Sequence, residues 1–189
     1  MADFNGDTII IRDTEYTTRE WAPERNWSWP NEFREIVHIW AIMVDIKTRQ
    51  EISSFSIFIK PIKNPIVSDY FINLTKITQE EIDTQWKDFV TAVNEFVQWA
   101  GDTIELYAYG KDEIILAENC GLHNITLPFI RKSRFKNIVD VFLKNNIQAT
   151  QYHSGTINQY FNIPNNETEH NALADARNVL HSLQELYRK

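Results

Sequence analysis

With 189 residues, 43% of them hydrophobic and 24% charged, the chain is long enough to bury one sizeable core, and a single domain over residues 1–189 is expected. A formal net charge of −7 argues against a protein that coats nucleic acid by bulk electrostatics, although carboxylates that gather divalent cations make a sequence acidic in the same way. The lone cysteine, Cys120, excludes an intramolecular disulfide and a cysteine zinc site; the longest apolar run, residues 36–44, is too short for a bilayer, and Met1-Ala2-Asp3 opens no leader pattern, so a cytoplasmic protein without membrane contact is expected.

Thr8 to Tyr16, Val37 to Asp45 and Glu51 to Lys60 are rich in β-branched and aromatic residues, and Pro61 closes the third segment. Three strands in succession predict an antiparallel meander. Thr78 and Glu81 form a capping box, and Ile82, Trp86, Phe89, Val90, Val93, Phe96 and Val97 then share one face at helical spacing, which predicts a helix. After Gly101, Ile104 to Tyr109 reads as a strand, Asp112 to Asn119 as a helix, and Ile138 to Phe142 as a final strand with helical material behind it. From Glu169 onward Ala172, Ala176, Val179, Leu180, Leu183 and Tyr187 outline a last amphipathic helix. The order β-β-β-α-β-α-β-α predicts an α/β protein with a mixed five-stranded sheet, three antiparallel strands first, and helices on its faces.

The first strand reads Ile9-Ile10-Ile11-Arg12-Asp13-Thr14-Glu15, so an apolar run gives way to two acids two residues apart. That spacing puts both carboxylates on one face of a strand, where they repel unless a cation sits between them. Solvation at a strand that ends early explains the same pair. Asp112 follows a strand at its junction with a helix; it can reach a crevice there or simply complement the helix dipole. Asp175 lies at the edge of the apolar stripe of the last helix, and His170 precedes it by five residues. In the loop after the first strand, Trp21, Trp27 and Trp29 lie among Pro23 and Pro30, placed either to stack bases or to pack over the sheet edge. The basic cluster Arg131, Lys132, Arg134 and Lys136 reads as a phosphate contact or as a solvated surface.

Together these residues resemble the DEDDh-type (DnaQ-like) 3′-to-5′ exonucleases of the ribonuclease-H-like superfamily. Asp13-Thr14-Glu15-Tyr16-Thr17 matches the family's Asp-x-Glu-x-Thr, and His170-Asn171-Ala172-Leu173-Ala174-Asp175-Ala176 matches its His-x-Ala-x-x-Asp-Ala. Tyr109-Gly110-Lys111-Asp112 is similar to its aromatic-Gly-x-x-Asp with one residue missing, and Leu74-Thr75-Lys76-Ile77-Thr78 to its Leu-Thr-Gly-Ile-Thr. Arg12 departs from the pattern, standing where an apolar residue is usual, but alternation turns it away from Asp13 and Glu15, so it need not enter the site.

The resemblance implies a ribonuclease-H-like fold and two Mg²⁺ or Mn²⁺ ions held by Asp13, Glu15, Asp112 and Asp175. It also implies His170 as general base and release of nucleoside 5′-monophosphates from a nucleic acid 3′ end. The acidic balance favours single-stranded ends. A catalytically inactive nucleic-acid-binding or adaptor module with the same fold is the alternative, but such a module is expected to have lost at least one of these residues. An endonuclease of the same superfamily is disfavoured by the His170-to-Asp175 motif.

Overall fold

The computed structural model describes residues 4–102, 104–126, 134–164 and 172–188. Strands β1 (Thr8–Tyr16), β2 (Ile36–Asp45) and β3 (Gln50–Ile59) form the expected antiparallel meander, with Asp13 opposite Trp40 and Glu15 opposite His38. Two short helices follow, α1 (Asp69–Thr75) and α2 (Gln79–Gln85). Then come β4 (Trp86–Lys87), α3 (Phe89–Ala100), β5 (Glu105–Ala108), α4 (Asp112–Leu122), β6 (Phe135–Asn137), α5 (Ile138–Lys144) and α6 (Ala172–Leu186). The sheet runs β4-β3-β2-β1-β5-β6, with β5 parallel to both β1 and β6.

Three details differ from the sequence expectation. The sheet has six strands rather than five, because the helical pattern begun at Ile82 breaks at Trp86. Trp86 and Lys87 instead pair with Phe58 and Ile59, and Asp88 restarts a helix by accepting the Thr91 amide at 2.9 Å. Ile138 to Phe142 belongs to a helix, not a strand: Asn137 caps it through the Val139 amide, and Ile138, Val139, Val141 and Phe142 are all buried. A short apolar run has no period of its own, and the cap decides it. The last strand therefore lies three residues earlier, at Phe135–Asn137.

Alternation along β1 sorts the core into two layers. Ile9 and Ile11 pack with Ile42, Val44 and the Ala176, Val179, Leu180 and Leu183 stripe of α6. Ile10 packs on the opposite face with Phe89, Val93 and Phe96 of α3 and Ile115 and Leu116 of α4. A smaller cluster of Val37, Val67, Phe71, Ile77 and Ile82 seats α1 and α2. Polar side chains fix the joints. Buried Glu35 accepts the amides of Ile62, Lys63 and Asn64 at 2.7–2.8 Å, and buried Asn119 joins α4 to Arg34 and Ile36. No helix among the described residues is long and apolar enough to cross a membrane.

Candidate active site

The row that begins with Ile9 and Ile11 continues, on the α6 side of β1, into Asp13 and Glu15. β1 pairs in parallel with β5 over Ile9–Ile11 and runs on past the end of that strand, so its last residues open onto the crevice at the carboxyl ends of parallel strands, where α/β sheets place their ligands. Helix α6 crosses that face with Asp175 in its first turn, and carboxylate oxygens of Asp13, Glu15 and Asp175 lie within 4.8 Å of one another.

The loop at His153 to Thr156 presses on Asp175. Ser154 Oγ donates to Asp175 Oδ2 at 3.3 Å, and a Cβ added at Gly155 would come within 2.7 Å of Asp175 Oδ1. Only glycine leaves that carboxylate its place.

Asp112 begins α4 just after Gly110, whose φ of +120° turns the chain out of β5. It lines the same crevice, but its Oδ2 is engaged from the other side of β1, by Thr14 Oγ1 at 3.1 Å and Arg12 Nη1 at 3.5 Å. Arg12 does face away from Asp13 and Glu15, as alternation requires, yet its guanidinium reaches the fourth acid. The expectation that it stays clear of the site is corrected on that point.

Burial raises Asp13, Glu15 and Asp112, and repulsion within the cluster adds to it at Asp13 and Glu15. Glu15 is pushed up to about 8 by burial and by Asp175 and Asp112, and Asp13 is raised well above the usual carboxylate range by burial, then by Asp112, Glu15 and Asp175. Burial also raises Asp112, against the pull of Arg12 and the Thr14 hydroxyl. An oxygen-only set of mutually repelling, sequestered carboxylates has the donor chemistry of a hard divalent cation.

The crevice measures about 290 Å³, and its other walls include Tyr16, Trp27, Leu74, Thr75, Tyr109 and His153. Leu74 and Thr75 reach it from the last turn of α1, which Lys76 ends with φ +63° at the place matching the glycine of Leu-Thr-Gly-Ile-Thr. Of the three loop tryptophans only Trp27 lines the crevice, packed edge-on against Tyr16; Trp21 and Trp29 are 63% exposed, and Trp29 stacks under Arg25. His153 and Ser154 carried no signal in the sequence, since nothing in the spacing ties their loop to β1. A larger groove of about 760 Å³ lies beside the β2–β3 turn and holds one acid, Glu185, so it offers no comparable ligand set among the described residues.

His170 lies outside the described residues, as do Arg131 and Lys132. The rest of the basic cluster is engaged in structure: Arg134 is buried and donates to the carbonyls of Gly101 and Ile104, and Lys136 lies 3.7 Å from Glu105.

Residues 10–183 match the model of the family described as Exonuclease (RNase_T). The chain belongs to this exonuclease family. Two curated relatives are each 28% identical to it. The 3′-5′ exonuclease crn-4 of Caenorhabditis elegans matches over 95% of this chain and 63% of its own length, and the probable 3′-5′ exonuclease KapD of Bacillus subtilis over 65% and 58%. The chain thus spans about three fifths of the length of these relatives. Among solved structures, the nuclease domain of 3′hExo, a DEDDh family member bound to rAMP, superposes with a TM-score of 0.80 at 22% identity, covering 96% of this chain and 92% of that one. The fold is therefore the ribonuclease-H-like one that the exonuclease motifs imply, with a sixth short strand at its edge.

Proposed function

We propose that this exonuclease-family chain is a metal-dependent 3′-to-5′ exonuclease that hydrolyses single-stranded DNA or RNA from its 3′ end and releases nucleoside 5′-monophosphates. The observation that carries this reading is the convergence of Asp13, Glu15 and Asp175, with oxygens within 4.8 Å, at the mouth of a crevice in a chain of that family. Both named relatives are described as 3′-5′ exonucleases, and the rAMP on the neighbouring nuclease domain is a monophosphate of the kind this reaction releases.

Asp13, Glu15, Asp112 and Asp175 would hold two Mg²⁺ or Mn²⁺ ions. When bound, such ions supply a more acidic water and charge neutralisation at the leaving 3′ oxygen. The chain's own groups do the rest. Ser154 and Gly155 keep Asp175 aimed into the crevice. Thr14 and Arg12 hold Asp112 beside Asp13. Trp27, Leu74 and Thr75 wall the space for a terminal nucleoside, with the Trp27 ring able to stack on a base. His170 takes the proton of the attacking water, as the His-x-Ala-x-x-Asp-Ala match implies.

The preference for single strands rests on charge and size. A net charge of −7 disfavours tracking or melting a duplex by bulk electrostatics, and a 290 Å³ crevice lies at the small end of ligand pockets. The test is substitution. Asp13→Ala, Glu15→Ala and Asp175→Ala should each abolish nuclease turnover while circular dichroism stays native, and Asp112→Ala should be severe. His170→Ala should flatten the rise in rate expected between roughly pH 6 and 8. Near-normal turnover by folded Asp13→Ala would refute the carboxylate site.

A further inference from the structure

Arg12 is only 3% exposed, and its guanidinium lies 5.2 Å from the centre of the Phe135 ring, beneath β1 on the α4 side. Its Nη1 is 3.5 Å from Asp112 Oδ2, and its Nε has no hydrogen-bond partner among the described residues. A buried guanidinium with an unused donor is unfavourable unless negative charge around it compensates. Here that charge comes from Asp112, Glu113 and Asp13, which favour the charged guanidinium against the cost of burial.

We propose that Arg12 is a built-in counter-ion of the carboxylate site, a fixed positive charge that steadies Asp112 in the ion-free protein and weakens the site's attraction for divalent cations. The proposal rests on reading Asp13, Glu15, Asp112 and Asp175 as a cation site. Arg12 then acts in opposite directions in two states. Without ions it offsets the crowding of negative charge at Asp112 and Asp13, and ions held by those carboxylates would be repelled by it. An arginine that only filled space and bonded its neighbours would contribute equally in both states, so the difference between the states separates the two roles.

The experiment measures Mn²⁺ affinity by calorimetric titration, and melting temperature in EDTA and in Mn²⁺, for the wild type, Arg12→Met and Arg12→Lys. Arg12→Met should bind Mn²⁺ about tenfold more tightly, since one adjacent charge is worth a pKa unit or more to a carboxylate. Its loss of melting temperature should be larger in EDTA than in Mn²⁺. Arg12→Lys, which keeps the charge, should return both quantities toward wild type. Equal Mn²⁺ affinity in Arg12→Met and wild type, or the same loss of melting temperature in both buffers, would overturn the proposal. If Arg12→Met alone does not fold, the comparison moves to an Asp112→Asn background, where both charges of the pair are removed together. There the double variant should again bind about tenfold more tightly than Asp112→Asn, and equal affinities would contradict it. A wild type that binds no Mn²⁺ would remove the cation site itself and this proposal with it.

Discussion

Sequestered acids at positions 13 and 15 make the ion-free protein sensitive to pH in a defined direction. In the unfolded chain both ionise near pH 4, whereas in the fold Glu15 is pushed up to about 8 and Asp13 is raised as well. Across that window the folded chain keeps protons that the unfolded chain has released, so stability falls as pH rises. Divalent cations held at the proposed site should reverse this by taking the place of the protons. Melting temperature in EDTA should drop between about pH 5 and pH 8, and added Mn²⁺ should recover more of it at the upper end. A Mn²⁺ effect of the same size at both ends would count against the cluster as a cation site. The shared face of Asp13 and Glu15 is legible in the sequence because a strand alternates, but spacing alone leaves solvation open, and it takes the match to Asp-x-Glu-x-Thr to mark the pair as a site. The partner of Arg12 is not legible, because reaching Asp112 depends on how α4 begins after Gly110, a matter of three dimensions rather than of period.

Elements set the position of the third acid. Helix α6 is readable from its apolar stripe, but its approach to β1 is fixed by the loop at His153 to Thr156, in which Gly155 lies against Asp175. Gly155→Ala should displace that carboxylate and lower turnover by about a hundredfold, the scale on which ångström misplacements act, while the fold persists. Kinetics paired with a melting curve check this, and wild-type turnover in the variant would mean that Asp175 has room to spare. The sequence errors at this scale share a cause. At Ile138 and at Trp86 the apolar pattern alone does not choose between helix and strand, and the choice falls to single polar residues, Asn137 and Asp88, that cap the helices beginning after them. Nothing in the sequence singles out Glu35, just before β2. In the fold it gathers three amides of the loop at residues 62–64.

For the whole molecule, the family and the broad plan of three antiparallel strands followed by alternating helices and strands were readable, because three motifs in sequence on one chain constrain the topology that must bring them together. Charge is the other molecular property with a consequence. Net charge −7 disfavours duplex binding by bulk electrostatics, and of the basic cluster seen in the sequence Arg134 and Lys136 are engaged in structure. One labelled strand should therefore be degraded faster alone than annealed to its complement, as DNA and as RNA at matched salt; equal or faster digestion of the blunt duplex would contradict this. The most direct test of the central claim is a time course on one single-stranded oligonucleotide labelled at its 5′ end in one sample and at its 3′ end in another, with Mg²⁺ or Mn²⁺ and then with EDTA. The carboxylate site predicts a ladder of progressively shorter 5′-labelled strands, immediate release of the 3′ label as a mononucleotide, and no change in either sample with EDTA. Internal cuts, loss of the 5′ label first, or undiminished activity in EDTA would contradict it.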